Sequence, residues 1–223
     1  MGWRAGSASG QGDPDEHSSW IFGAIRTAVP SSVFSSFEAL MHLGTISVIR
    51  CPKCGHESRT TGGEDRGISL PITPRISNGS VDQYLQKYLV EVVEDYSCES
   101  CKDKASKKKR VLLISHAPDI LAVQLKRFDY NGAKDSSYVG INTTLDLGKF
   151  RDADNHNRLC YDLTAVIKHA GTSGFGHYTC SAKGPDGNWY NFNDRSMSKS
   201  SVAEATAKGS FTPYILYYQR NES

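Results

Sequence analysis

Hydrophobic positions along the chain follow two periods. Trp20, Ile21, Ala24 and Ile25 recur at helical spacing. Their start is marked by Asp13 as an N-cap residue, Pro14 at the first helical position and Glu16 at the third. Pro30 sets the other bound, so the spacing predicts a helix over about 14–28. A second helix is predicted over 80–89, where Ser80 and Gln83 form a capping box and Val81, Tyr84, Leu85, Tyr88 and Leu89 mark one face. Residues 31–43 are mixed and allow a short turn of helix, and another short helix is expected near 200–207.

Most of the remainder alternates with period two, the mark of half-buried strands. Strands are predicted at 45–50, 57–61, 68–72, 111–115, 120–128, 141–147, 161–169 and 214–218. Leu121, Val123, Leu125 and Arg127 share one face of their strand, and Tyr161, Leu163, Ala165 and Ile167 share one face of theirs. Residues 130–138 read as a Gly/Asp/Ser-rich loop and 151–158 as a charged turn. A few helices followed by a mostly antiparallel sheet make the class α+β.

One hairpin carries candidate chemistry. Residues 174–180 and 189–194 flank Gly184-Pro185-Asp186-Gly187, a composition that favours reversal. With the fold-back point near residue 185, His177 comes opposite Asn193 or Asp194, according to whether the turn holds one extra residue. An imidazole facing an amide or carboxylate is the base-and-orienter half of a nucleophilic triad.

At 223 residues the chain is one large domain or two small ones. Hydrophobic content of 38% and a net charge of +2 describe a globular chain with no overall pull towards nucleic acid. No run approaches the roughly 18 apolar residues of a bilayer span, so a membrane partner is not expected. Residues 1–10 are expected to be disordered, and they lack the apolar stretch of a secretory signal. The basic run from Lys102 to Arg110 reads as a solvated loop or strand edge; a polyanion site is the weaker reading.

Four of the six cysteines form two Cys-x-x-Cys pairs, Cys51 with Cys54 and Cys98 with Cys101. That spacing favours a metal in a reducing compartment, cytosol or nucleus, over disulfides. Four thiolates complete a tetrahedral Zn²⁺ and leave no open position, so the expected zinc is structural. His56 is close by, but the fourth ligand is already supplied.

Together these motifs resemble the ubiquitin-specific proteases, from Gln11 to about Arg220. Gln11-Gly12-Asp13-Pro14-Asp15-Glu16 is similar to the family's Gln box, and the four cysteines match its zinc-bearing fingers. Residues 120–128 resemble its central palm strand and 214–218 its final strand. Gly176-His177-Tyr178-Thr179 with Trp189, Phe192, Asn193 and Asp194 resembles its His box. The resemblance implies a papain-like hand fold of fingers, palm and thumb. The domain would span 11–220, with fingers at about 45–110 and palm at about 111–220. It also implies thiol-dependent hydrolysis of ubiquitin isopeptide bonds, with ubiquitin or ubiquitinated proteins as partners. His177 becomes the general base and Asn193 its orienter, preferred over Asp194, which lies near the oxyanion region and can assist. Asp13 and Glu16 become contacts for arginines of the ubiquitin tail, a role compatible with capping.

The sequence departs from the family in places. His17 stands where Phe is usual and Gly12 where a second Gln is common. No Gly-Asn-Thr-Cys-like Cys box occurs in the 223 residues, so the nucleophile and much of the thumb are missing from the pattern. Cys180 falls on the strand face opposite His177, and Cys160 has no oxyanion motif around it; both read as small core residues. Two accounts follow: the C-terminal part of an enzyme, which the retained His177, Asn193 and zinc cysteines favour, or a short paralogue that binds ubiquitin without hydrolysis. In either, the apolar surface around Trp20, Ile21 and Ile25 is expected to lie partly exposed.

Overall fold

A computed structural model describes residues 12–73 and 75–221. The expectations for residues 1–10 and for Gln11 lie outside the described residues. In chain order the elements are α1 (Pro14–Ala28), α2 (Ser31–Ala39), β1 (Leu43–Arg50), β2 (Glu57–Asp65), β3 (Ile68–Pro71), α3 (Val81–Leu89), β4 (Val90–Val93) and β5 (Lys108–His116). They continue as β6 (Ile120–Lys126), β7 (Thr144–Asp146), β8 (Cys160–Gly171), β9 (Gly176–Lys183), β10 (Trp189–Asn193), β11 (Ser196–Ser200), α4 (Val202–Thr206) and β12 (Thr212–Arg220).

Helix α1 starts as its sequence dictates. Asp13 is extended, and its carboxylate accepts from the Asp15 backbone N–H at 2.7 Å. Residues 31–39 form a whole helix, α2, rather than a short turn, with the Phe22 and Phe37 rings 5.0 Å apart between the two helices. Only Phe22 and Phe34 are buried in this pair. Trp20 is 44% and Ile21 38% exposed, so the apolar surface expected there is present. Among the described residues no helix is long and apolar enough to cross a membrane.

The strands form two sheets. The smaller runs β2-β1-β5-β4, and the larger β11-β10-β9-β8-β12-β6-β3 with β7 paired to β8. Every pairing is antiparallel except β3 with β6. β3 lies within the 45–110 interval in sequence but belongs to the larger sheet, whereas β5 runs past residue 110 and stays in the smaller one. Helix α3 carries the capping box, with the Ser80 N–H donating to Gln83 Oε1 at 2.9 Å. It buries Val81, Tyr84, Leu85 and Leu89 in one cluster with Leu70, Leu121, Val123, Leu125, Leu216 and Tyr218. Each such side chain contributes about 1.5–3 kcal/mol on leaving water. Arg127 is buried on the same strand face, with its guanidinium donating to the carbonyls of Pro213, Asp135 (2.8 Å) and Ser137 (2.9 Å). It thereby anchors the 130–138 loop beside the sheet.

Three local expectations need correction. The basic run is neither a solvated loop throughout nor a strand edge: β5 lies between β1 and β4, and Lys108 is buried, its ammonium 3.0 Å from Asp103. The face of β8 also changes. Tyr161 and Leu163 are buried in the core, but Val166 follows them in place of Ala165 and Ile167. Thr164 is an extra residue, since Tyr218 pairs with Leu163 and Tyr217 with Ala165. This bulge turns Ala165 and Ile167 to the other face. Finally, residues 141–147 yield only the short β7, and β4 and β11 were not anticipated.

Candidate functional site

The two Cys-x-x-Cys segments fold as matching knuckles. In the first, the Gly55 N–H donates to Cys51 O at 2.9 Å and the Cys51 N–H to His56 O at 2.9 Å. In the second, Lys102 donates to Cys98 O at 2.9 Å and Cys98 to Asp103 O at 3.0 Å. Both need a left-handed residue after the second cysteine, supplied by Gly55 (φ 75°) and Lys102 (φ 56°). All four sulfurs lie within 4.8 Å of one another. Cys51–Cys101 and Cys54–Cys98 are each 3.7 Å apart, too far for disulfides. A tetrahedron with Zn–S bonds of about 2.3 Å has sulfur–sulfur edges of about 3.8 Å, so the donor set fits Zn²⁺. Within this close set the Cys98 thiol is lowered to about 6, the Cys101 backbone N–H first among the causes, while burial and the neighbouring thiols raise that of Cys101 to about 11. Four sulfurs fill the coordination shell, so this centre is structural.

The candidate base and its orienter stand on the larger sheet. Strands β9 and β10 pair Lys183 with Trp189 and Cys180 with Phe192. Residues 184–188 form the connection, closed by Gly184 N–H to Asn188 O at 2.7 Å and Gly187 N–H to Gly184 O at 2.9 Å. Gly187 adopts φ 80°, and Asp186 accepts from the Tyr190 hydroxyl at 2.6 Å. This connection is longer than the turn assumed from sequence. It moves the fold-back point to residue 186, so Asn193 aligns with Thr179 rather than His177. His177 and Thr179 share a face, and His177 meets Asn193 on the diagonal. His177 Nε2 lies 2.6 Å from Asn193 Oδ1. Asp194 turns out of the strand at φ 51°, and its carboxylate stays 3.9 Å from Nε2 in an exposed position.

The two acids of α1 differ. Asp13 Oδ1 is held by the helix cap, and Oδ2 accepts the Tyr214 hydroxyl at 2.7 Å with the Tyr178 hydroxyl at a longer 3.5 Å. Burial, then the Asp13 carboxylate, raises both phenols above their ordinary range. Tyr178, Tyr214, Phe128 and His169 form a ring cluster beneath this contact, with centroids 4.5–5.9 Å apart. The cluster latches the N-terminal end of α1 to β9 and β12, next to His177. Glu16 is exposed on the first turn. Sequence reasoning missed Tyr178 and Tyr214 as partners of Asp13. Their only local signal was an aromatic residue near a strand end.

Neither remaining cysteine meets the imidazole. Cys180 alternates to the opposite face of β9 from His177, and burial raises its thiol. Cys160 begins β8 and is half-buried.

The profile of the family described as "Ubiquitin carboxyl-terminal hydrolase" matches residues 7–218. Ubiquitin carboxyl-terminal hydrolase 25 of Arabidopsis thaliana is 33% identical over 182 residues, covering 78% of this chain and 26% of its own length. Ubiquitin carboxyl-terminal hydrolase 15 of Rattus norvegicus is 32% identical over 148 residues, covering 64% of this chain and 15% of its own length. The SAGA DUB module of Ubp8, Sgf11, Sus1 and Sgf73 bound to monoubiquitin superposes with a TM-score of 0.69 at 26% identity, over 83% of this chain and 42% of that one. The same module bound to ubiquitin aldehyde gives a TM-score of 0.76 at 24% identity, over 96% and 50%, a likeness of fold. The chain therefore spans about a quarter or less of these curated relatives and at most half of these solved chains. With the profile match over nearly all of its residues, the two-sheet hand and the four-cysteine centre, the chain belongs to the ubiquitin carboxyl-terminal hydrolase family.

Proposed function

We propose that this chain supplies the ubiquitin-recognising surface and the base side of a thiol hydrolase that removes ubiquitin from proteins. The observation that carries the reading is the 2.6 Å contact between His177 and Asn193. An amide oxygen only accepts hydrogen bonds, so Nε2 carries the proton and donates. Nδ1 is then the lone-pair atom that takes a thiol proton, and Asn193 fixes the ring for that task. The attacking thiolate forms a thioester with the ubiquitin C-terminal glycine while the imidazolium gives its proton to the departing lysine amine. Water then releases ubiquitin, again with His177 as base. Asp194, its carboxylate 3.9 Å from Nε2, is an assisting group beside the pair in this reading.

Asp13 and Glu16 face a cationic ubiquitin tail in this reading, Glu16 by direct contact and Asp13 chiefly by holding α1 in place. The zinc braces the fingers and takes no part in the chemistry. Paired thiols held 3.7 Å apart suit a reducing compartment, cytosol or nucleus.

The 223 residues contain no Cys-box thiol, and Cys180 faces away from the base. By itself this chain is therefore expected to show no turnover of a fluorogenic ubiquitin C-terminal substrate. Robust cleavage that disappears in His177→Ala would overturn this. The acidic first turn of α1 also supports a second reading, a non-catalytic ubiquitin binder. It shares the binding pattern of the first reading, weakened by Glu16→Arg and indifferent to His177→Ala, and differs in that no companion segment restores hydrolysis.

A further inference from the structure

His177 stands at the N-terminal end of β9, between β8 and β10 in the larger sheet. Side chains alternate along this strand, so Tyr178 and Cys180 point towards α1 while His177, Thr179 and Ser181 point towards α4. The α1 side carries Asp13, Asp15 and Glu16 on one helix turn, with Arg66 beside Asp15. The α4 side has the opposite character. An open cavity of about 550 Å³ lies there, with Thr179, Ser181 and Asn193 in its lining. Asn193 thus touches His177 and borders this cavity at once. Lys168, Lys199 and Lys208 belong to the lining, against the single carboxylate of Glu204, with Lys208 Nζ standing over the Tyr138 ring 5.7 Å from its centroid. That carboxylate already accepts the Ser200 hydroxyl at 2.9 Å, and Lys168 donates to the Glu204 carbonyl at 3.1 Å. Phe211 closes the near wall with its ring edge-on to His177, centroids 6.1 Å apart.

We infer that this cavity is the leaving-group side of the site and takes an acidic peptide segment flanking the ubiquitin-bearing lysine. The inference rests on the proposed function. If the acids of α1 receive a cationic tail, that tail approaches His177 from the α1 face. The scissile carbonyl must reach His177 itself, and the nitrogen side of the bond then continues over the end of β9. The opening it meets is the cavity beside Asn193. Three lysines, with the hydroxyls of Thr179 and Ser198 and the Asn193 amide, favour carboxylates over cations. The two sides of the base thus carry opposite charge, each complementary to one half of an isopeptide substrate.

The test is fluorescence anisotropy on the full chain with three probes. They are free ubiquitin, ubiquitin isopeptide-linked to a lysine with glutamate neighbours, and the same conjugate with serine neighbours. The acidic conjugate is expected to bind about fivefold more tightly than the serine conjugate. Lys208→Glu should reverse that order, and Lys208→Gln should fall between, with free ubiquitin bound equally by all three proteins as a check on folding. Equal affinity for the two conjugates, alongside binding of free ubiquitin, would overturn the cavity assignment and leave the proposed function standing. Failure to bind free ubiquitin at all would remove both.

Discussion

The two sheets use similar strands and are held by different forces. In the larger sheet, α3 and the strands β3, β6, β8 and β12 enclose a continuous apolar cluster. In the outer part of the smaller sheet, the buried side chains among the described residues are Val48, Cys51, Cys98 and Lys108. One is a modest apolar residue, two are metal ligands and one is a charged amine matched to Asp103. The outer ends of these four strands, with so little apolar burial, do not support themselves in water, whereas Leu43 and Ile114 at the inner ends of β1 and β5 join the palm cluster. The fingers are thus stabilised at their tip by coordination, and the palm by exclusion of water from its core. The His177–Asn193 pair stands on the second kind of structure, so its geometry does not depend on the zinc.

Metal removal breaks this comparison open most sharply. Structural zinc contributes on the order of 10 kcal/mol or more in small finger peptides. Stripping zinc with a chelator should abolish hydrogen-exchange protection at the knuckle ends of β1, β2, β4 and β5 while β8, β9 and β12 keep theirs. Uniform loss across both sheets would show that they are one cooperative unit.

The reciprocal change is Leu216→Ala in the palm. It removes a fully buried side chain and should cost about 2–5 kcal/mol, read from the urea midpoint. The zinc content at moderate denaturant should persist. A smaller loss there than from Val48→Ala would contradict the assignment of the core.

Acid separates the sheets by another route. His169 is buried in the ring cluster, and burial, then Lys134, lowers it to about 4. The unfolded side chain binds its proton below about 6.5. Between these values the unfolded state holds more protons, so the contribution is complete above about 6.5 and is lost as pH falls towards 4. In zinc-stripped protein, His169→Phe should flatten the fall in palm stability between pH 7 and pH 5, measured by chemical denaturation. Equal slopes in the two proteins would refute this role.

The smallest effect belongs to the second knuckle. Lys102 takes a left-handed conformation that costs a non-glycine residue about 1 kcal/mol. Lys102→Gly relieves that strain but gives up the ammonium contact to Glu99 O at 2.7 Å and adds chain entropy to the unfolded state. A gain of roughly 0.5 kcal/mol or less is expected, seen as slower zinc release. Faster release would mean that the contact outweighs the strain.

What could be read from the sequence divides along the same line. The Asp13 cap, the Ser80–Gln83 capping box and the cysteine knuckles are set by neighbours a few residues away, and each stands where its motif placed it. The pairing of His177 with Asn193 was legible as an approach of two segments, but not as a register. That depended on a five-residue connection, 184–188, whose length the Gly-Pro-Asp-Gly composition does not set. The Thr164 bulge was invisible because it is defined by the partner strand β12. Lys108 was misread because its partner, Asp103, becomes a burial-compatible neighbour only when β5 turns inward. The Asp13–Tyr214 contact joins the two ends of the chain, and no local pattern reports it.

The central claim is that this chain grips ubiquitin through α1 and presents His177 to its tail. The most direct measurement is a calorimetric titration of ubiquitin into the full chain, its Glu16→Arg variant and its His177→Ala variant. The account predicts that the unmodified chain and His177→Ala bind alike, and that Glu16→Arg loses most of the affinity. Absence of binding, or binding indifferent to the charge at position 16, would contradict it.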